Sequence, residues 1–582
     1  MKQFKQAIAR RLAEIAPLDA AQAAEKIAAP PKPEMGDLAF GCFALAKELR
    51  KAPPAIAADL AARWGEGAWG VASAEAAGPY LNFRLDEKAL AEAVAQDAAR
   101  AKSGEWVASA AGEGAKKPVV TIDFSSPNIA KQFGVPHLRS TATGWSLKRL
   151  HDFAGWQAIG INHIGDWGTQ FGMLIHAFRE RGDEAQLEKE PIRYLHELYI
   201  EINEEIEKNP PLKDKARAAF LELEEGKPEA VRLWKLFRDL SLREFNRIYD
   251  LLKVRFERVE GEAFYNDKME GLFDRFMESG IAKQDSGAWI VDTGGAGGIE
   301  APLLLKKSDS GTTYAMRDLA AVDYRRKTYD FAKNLYVVDA RQGPHFAQVF
   351  AAYAKLGEEE AKIAERCHHV SFGTVYIDGQ IGRARKGTIL LLDAYLRDLA
   401  AKVLGIINEK NPTLEGKEQT AMDVAIGAVV FEMLKKERRH DVHFSSEESI
   451  KTEGETGPRI QFLHARLCAI RRTFAETFGR EPGWDADAFD EALRAPESRQ
   501  LMLTALKFED ALNRALADLG PHHIAQYLLD LADAFNQFWL KVRVVEPGDE
   551  GGSARRMVLI EHLRALAGRA LWLLGMPAPE RM

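Results

Sequence analysis

Near the start of the chain, apolar residues recur at helical spacing. Phe4, Ile8, Leu12 and Ile15 form one stripe, which predicts a surface helix packed on a core. From Pro30 to Arg84, helical runs mix with short strands, and "GPYLNFRL" is a Gly-Pro turn followed by the alternation of a strand. Residues 101–118, "AKSGEWVASAAGEGAKKP", carry Ala, Gly and Lys without periodicity and read as a linker. "VVTIDF" then predicts a buried strand, a helix is expected from about Ala130, and "QAIGIN" predicts a second strand. A strand–helix–strand unit with its polar turn after the first strand opens a parallel, doubly wound domain. Charged helical text over about 176–255 reads as an insertion, strand patterns return at "WIVD", "PLLLKK" and "NLYVVDA", and from about 399 onward the pattern is that of a helical bundle. The expected division is 1–117, 118–398 with the insertion inside it, and 399–582.

Composition narrows the class. A chain of 582 residues exceeds one core, and 46% apolar with 28% charged residues is an ordinary globular balance. The net charge of -7 supplies no global attraction for nucleic acid, so any RNA contact must rest on local basic patches. Cys42, Cys367 and Cys468 form no CxxC pair, which argues against a disulfide framework or a zinc cluster and for a reducing compartment. In Cys367-His368-His369, neighbours on a strand point to opposite faces, so the triplet does not close a metal site. The basic N-terminus lacks an apolar stretch and carries Glu14, Asp19 and Glu25, unlike a targeting peptide. No apolar run approaches the roughly 18 residues that span a bilayer. A cytoplasmic protein without a metal site is expected.

The turn "SSPNIAKQFGVPHLRST" at 125–141 lies between a strand and a helix. A helix N-terminus offers free N–H groups and a positive dipole end, which suits phosphate, and Lys131, His137 and Arg139 add donors there. The same text also fits a polar turn with a capping side chain. "HIGD" at 163–166 shares letters with a nucleotide-binding signature.

"PEMGDLAF", "GPYLNF", "SSPNIAK…HLRST", "INHIGDWGTQFGMLI", "TYAMRDLA", "VVDARQGPHFAQVF", "GETGP…HAR" and "LLGMPAPERM" follow one another over nearly the whole chain. In this collinear set the sequence resembles the arginyl-tRNA synthetases. The resemblance implies an α/β Rossmann-type class I synthetase catalytic core, an α+β N-terminal domain touching the tRNA corner, and an all-α C-terminal anticodon-binding bundle.

It also implies roles. The family's His-x-Gly-His signature falls on Gly134, Val135, Pro136 and His137, so the second His is kept, while Gly134 and Pro136 replace the first His and the Gly. A proline ring crowds the adenine contact and removes an N–H. "HIGD" aligns with a different segment, and Gly165, Asp166 and Gly168 are implied to line the nucleotide cleft, with His345 also at ATP. Arginine recognition is implied for Glu262, Tyr314, Asp318 and Gln342, with Asp123 and Asn128 near the head group; such acceptors suit a planar guanidinium. Tyr314 and Asp318 are four apart and share a helix face. The pyrophosphate loop corresponds to "GQIGRARKGTILLLD", in which Arg385 and Lys386 match relatives and Arg383 adds charge, and Lys131 is implied to compensate where that loop is weakened. Arg459, Arg466 and Arg471 are implied to contact tRNA, Arg459 standing where relatives usually have an aromatic residue.

The implied activity is ATP-dependent activation of L-arginine and its transfer to tRNA(Arg). Its substrates are L-arginine, tRNA(Arg) and ATP with Mg²⁺, and it needs no tightly bound cofactor or structural metal; the protein is expected to be a monomer. Two other readings stay open: a paralogue that activates arginine for another acceptor or only binds arginine or tRNA, and an RNA-binding scaffold. A scaffold has no reason to keep Glu262, Tyr314, Asp318 and Gln342 together.

Overall fold

The run Val119–Asp123 is buried at every position and forms the middle strand of a five-stranded sheet in the computed structural model. The order across that sheet is Cys367–His369, Lys333–Tyr336, Val119–Asp123, Gln157–Asn162 and Arg258–Val259, and every neighbouring pair is parallel. The chain leaves the middle strand in both directions. The crevice at the carboxyl ends of these strands is therefore a topological switch point, where open α/β sheets bind ligands. The structure describes residues 1–65, 69–103, 116–308, 313–381, 390–483 and 491–582. Most of the linker expected at 101–118, and Arg383, Arg385 and Lys386, lie outside the described residues.

Helix Val135–Phe153 packs on the sheet through Gly144, where an added Cβ would come within 2.2 Å of the Phe124 side chain. The helix begins at Val135 rather than near Ala130. Ser125, Ser126 and Ala130 have φ of 69°, 45° and 60°, left-handed values that a right-handed helix excludes. Distant side chains hold that turn: Ser125 N–H donates to Ser140 Oγ at 3.0 Å, Ala130 N–H donates to Ser241 Oγ at 3.0 Å, and Ser125 Oγ meets the Tyr249 hydroxyl at 2.8 Å. Such over-determination is what sustains strained backbone at a site.

Between strands Gln157–Asn162 and Arg258–Val259 run helices Thr169–Arg181, Glu184–Lys189, Pro191–Lys208, Leu212–Glu224 and Pro228–Leu252, the expected helical insertion. At the N-terminus, helix Lys2–Ile15 buries Phe4, Ile8, Leu12 and Ile15 as the stripe predicts. It accompanies an antiparallel sheet in which Tyr80–Leu85 is an inner strand. The C-terminal third is built from helices, among them Gly457–Phe478, His522–Trp539 and Glu550–Leu573. One strand departs from the all-helical expectation: Val442–Phe444 pairs in parallel with Val375–Ile377.

The two ends of the chain dock on each other. Arg499 Nε donates to Asp37 at 3.1 Å and its Nη2 to the Leu85 carbonyl at 2.6 Å, while Lys5 pairs with Asp510 at 3.0 Å. Among the described residues no helix is long and apolar enough to cross a membrane.

Candidate active site

The stretch "HIGD" braces the turn it imitates. Gly165 N–H donates to the Pro127 carbonyl and Ile129 N–H to the Gly165 carbonyl, each at 3.1 Å, so Asn128 and Gly165 form a parallel bridge. A Cβ on Gly165 would lie 1.8 Å from Asn128 Oδ1, so any side chain there must displace Asn128. The same segment fixes Glu262, whose N–H donates to the Ile164 carbonyl at 3.0 Å. The buried Asp166 carboxylate accepts from Ala263 N–H at 2.9 Å and Arg238 Nε at 3.0 Å, and Trp234 Nε1 donates to its carbonyl at 2.7 Å. Asp166 is thus committed to protein partners, and Gly168, with φ of 129°, caps helix Thr169–Arg181. Gly165→Ala should push Asn128 and its turn aside. The expected result is a fall of about ten- to hundredfold in kcat/KM for arginine with a lowered melting temperature; native kinetics would contradict the bridge.

At the start of helix Val135–Phe153, the backbone donors are already taken. Val135 N–H reaches the Leu390 carbonyl at 2.9 Å, His137 N–H the Gly134 carbonyl at 3.0 Å, and Gly134 N–H donates to His137 Nδ1 at 3.0 Å. Pro136 has no N–H, sits in the first helical turn and is exposed. Proline is tolerated there because that N–H has no partner within the helix. The expectation of several free amides at this helix end therefore fails for Gly134, Val135 and His137. Side chains are left as donors. His137 Nδ1 lies 3.0 Å from the Gly134 amide nitrogen and 3.2 Å from the Gly134 carbonyl oxygen; the shorter contact has Nδ1 accepting, which assigns the proton of the neutral ring to Nε2. Burial, and then the charge of Lys131, lower the pKa of His137, so it is a neutral Nε2–H donor. Arg139 is fully buried and donates to the carbonyls of Arg438 at 2.8 Å and His440 at 3.3 Å. It is a structural tie.

Joined to the same turn through Ile164 and Gly165, an acidic cluster assembles around Glu262. Glu262 is buried, with the Tyr314 hydroxyl, Arg317 and Asp318 close by. Burial pushes its pKa up to about 7 against the opposing pull of Arg317 and the Tyr314 hydroxyl, with Asp166 and Asp318 adding to the rise. Tyr314 and Asp318 do share a face of helix Tyr314–Tyr329. Asp318 Oδ2 lies 2.6 Å from His345 Nε2, so His345, implied at ATP, stands against an acid implied for arginine. Gln342 is exposed at the head of helix Gly343–Ala354. Glu262, Tyr314, Asp318 and His345 thus come together, and nothing but the resemblance drew attention to them in the sequence.

Asp123 differs. One carboxylate oxygen accepts from the fully buried Arg325 at 2.7 Å and the other from Ser126 Oγ at 2.9 Å. Arg325 escaped the sequence reading; its guanidinium carbon lies 5.1 Å from the centre of the Tyr336 ring. Lys131, on the turn 125–134, places its ammonium over the Tyr199 ring of the insertion, 5.9 Å from the ring centre.

In the C-terminal bundle, Arg459 and Arg466 line one cleft of about 460 Å³ with Phe462 and Phe535. Arg459 ion-pairs with Asp533, and Arg466 lies 4.8 Å from the Phe462 ring centre and 5.9 Å from that of Trp539. Arg471 pairs instead with Glu481 at 3.0 Å and Glu561 at 3.8 Å. It does not line that cleft.

Residues 105–446 match the family description tRNA synthetases class I (R), catalytic domain; residues 460–582 match the DALR anticodon binding domain, and residues 2–85 the arginyl tRNA synthetase N terminal domain. The chain is 40% identical over 580 residues to the arginine–tRNA ligase of Clostridium perfringens, covering 100% of both chains. It is 41% identical over 560 residues to that of Exiguobacterium sibiricum, covering 96% of each. Its fold is similar to that of Thermus thermophilus arginyl-tRNA synthetase, with a TM-score of 0.80 at 27% identity over 100% of both chains.

Proposed function

The chain belongs to the class I arginyl-tRNA synthetase family, and we infer on that premise that it is an arginine–tRNA ligase. It activates L-arginine with ATP and transfers the arginyl group to tRNA(Arg). The observation that carries this reading beyond likeness is the clustering of Glu262, Tyr314, Asp318 and His345 beside the braced turn 125–134. Acceptors suited to a guanidinium then lie close to a turn whose His137 and Lys131 suit a polyphosphate.

The arginine carboxylate attacks the α-phosphorus of the Mg²⁺–ATP substrate in line, forming arginyl-adenylate and releasing pyrophosphate. A ribose hydroxyl at the tRNA 3′ end then attacks the adenylate carbonyl, and AMP leaves. Positioning and charge stabilisation do the catalytic work. In this reading Glu262 and Asp318 accept the guanidinium N–H groups, with Tyr314 and Gln342 at the pocket rim. Asn128 and Asp123 face the head group, Asp123 held in place by Arg325 and Ser126. His137 Nε2–H and the Lys131 ammonium serve the phosphates. Arg385 and Lys386 keep the role that the family implies for the pyrophosphate loop, and Arg459 and Arg466 face tRNA in their cleft.

Arginine-dependent exchange of pyrophosphate into ATP, measured with and without tRNA and followed by tRNA charging, tests the assignment. Exchange together with charging is expected. No exchange under either condition would sink the ligase reading, and exchange without charging of any tRNA would point to a different acceptor.

A further inference from the structure

Helix Pro191–Lys208 of the insertion buries Leu195, Leu198 and Ile202 against its neighbours. His196 and Tyr199, three apart on the same helix, share a face, and that face meets the ATP turn. The Lys131 ammonium is 5.9 Å from the Tyr199 ring centre, inside the range where a cation is attracted to an aromatic face. Among the described residues no carboxylate forms an ion pair with Lys131. The His196 Nδ1 atom is buried without a hydrogen-bond partner there. Burial first, and then Lys131, lower the pKa of His196, with Glu197 pulling the other way.

An aromatic face is the partner that suits a lysine destined for phosphate. A carboxylate would hold the ammonium but neutralise it and compete with the ligand. A ring restrains the flexible four-carbon stem while leaving the full charge and three N–H donors available. We propose that Tyr199 is a positioning residue of the ATP site, whose ring, with His196 beside it, holds the Lys131 ammonium at the phosphate end of helix Val135–Phe153. The insertion then contributes to nucleotide binding as well as to the fold. This inference rests on the assignment of Lys131 to the phosphates.

The test is arginine-dependent pyrophosphate exchange in the full-length protein with tRNA present, at varied MgATP and at varied arginine. Tyr199→Leu is expected to raise KM for MgATP about two- to fivefold, the size of a partly exposed cation–π contact, without moving KM for arginine. Tyr199→Phe, which keeps the ring, should recover most of that loss. In a Lys131→Ala background, Tyr199→Leu should add nothing further. Additive effects of the two substitutions, or equal shifts in both KM values, would overturn the proposal and leave Tyr199 a packing residue. Native MgATP kinetics for Lys131→Ala would instead remove the role of Lys131 itself, and this inference with it.

Discussion

Glu262→Gln is expected to lower kcat/KM for arginine by on the order of a thousandfold while KM for MgATP stays within about twofold. Removing one member of a buried, hydrogen-bonded charge pair costs about 3–5 kcal/mol, and the substrate guanidinium would be that stranded partner. The variant keeps the shape of the side chain, so the loss reports charge. A pH signature accompanies it. Burial raises the Glu262 carboxyl to about 7, so below that pH the empty pocket is mostly protonated and must lose a proton to pair with arginine. In the native protein kcat/KM for arginine should therefore climb with pH up to about 7 and flatten above it, and Glu262→Gln should lack that step. Stability runs the opposite way. The folded pKa lies above the ordinary 4.5, so the native state holds its extra proton between the two values. The stability present below 4.5 is then lost as pH rises through about 7, by about 3 kcal/mol in the unliganded protein. Saturating arginine should abolish that loss. Thermal melts from pH 5 to 8, with and without arginine, check this; a native melting curve that tracks the Gln variant at every pH would remove the shifted carboxyl from the pocket.

The contrast between what the chain discloses and what it conceals lies in the range of the interactions. The stripe Phe4, Ile8, Leu12 and Ile15 and the buried run Val119–Asp123 are periodic patterns set by neighbours in sequence, and both are legible in one dimension. The helix start at Val135 is not, because the left-handed turn before it depends on Ser140, 15 residues from Ser125, and on Ser241, 111 residues from Ala130. Arg325 is 202 residues from the Asp123 carboxylate it holds, and as text it is one more arginine on a charged helix. "HIGD" is the sharpest case. Its letters suggest nucleotide contact, whereas its backbone hydrogen-bonds the turn on both sides of Asn128 and also the Glu262 amide. Strand Val442–Phe444 is concealed for the same reason, since among the described residues its sheet partner is the distant strand Val375–Ile377.

His137→Ala should cost on the order of a hundred- to a thousandfold in kcat for exchange, the size of the loss when one donor aimed at developing transition-state charge is removed. KM for arginine should hardly move, because in the proposed reading Glu262 and Asp318, not His137, take the guanidinium. The effect should exceed any structural cost. Losing the Nδ1 contact to the Gly134 N–H removes one cap, worth about 1 kcal/mol, which a small drop in melting temperature would register separately. The lowered pKa of His137 adds a discriminating readout. A ring held neutral by burial and by Lys131 keeps its Nε2–H through the ordinary histidine range, so kcat at saturating arginine should show no step near 6.5. Pro136→Gly makes the complementary point. Pro136 is exposed, and an N–H at its place would have no partner within the helix, so restoring glycine should change kcat by less than about threefold. A gain of tenfold or more would mean that a backbone amide at that position, rather than the side chains of His137 and Lys131, carries phosphate binding in this site.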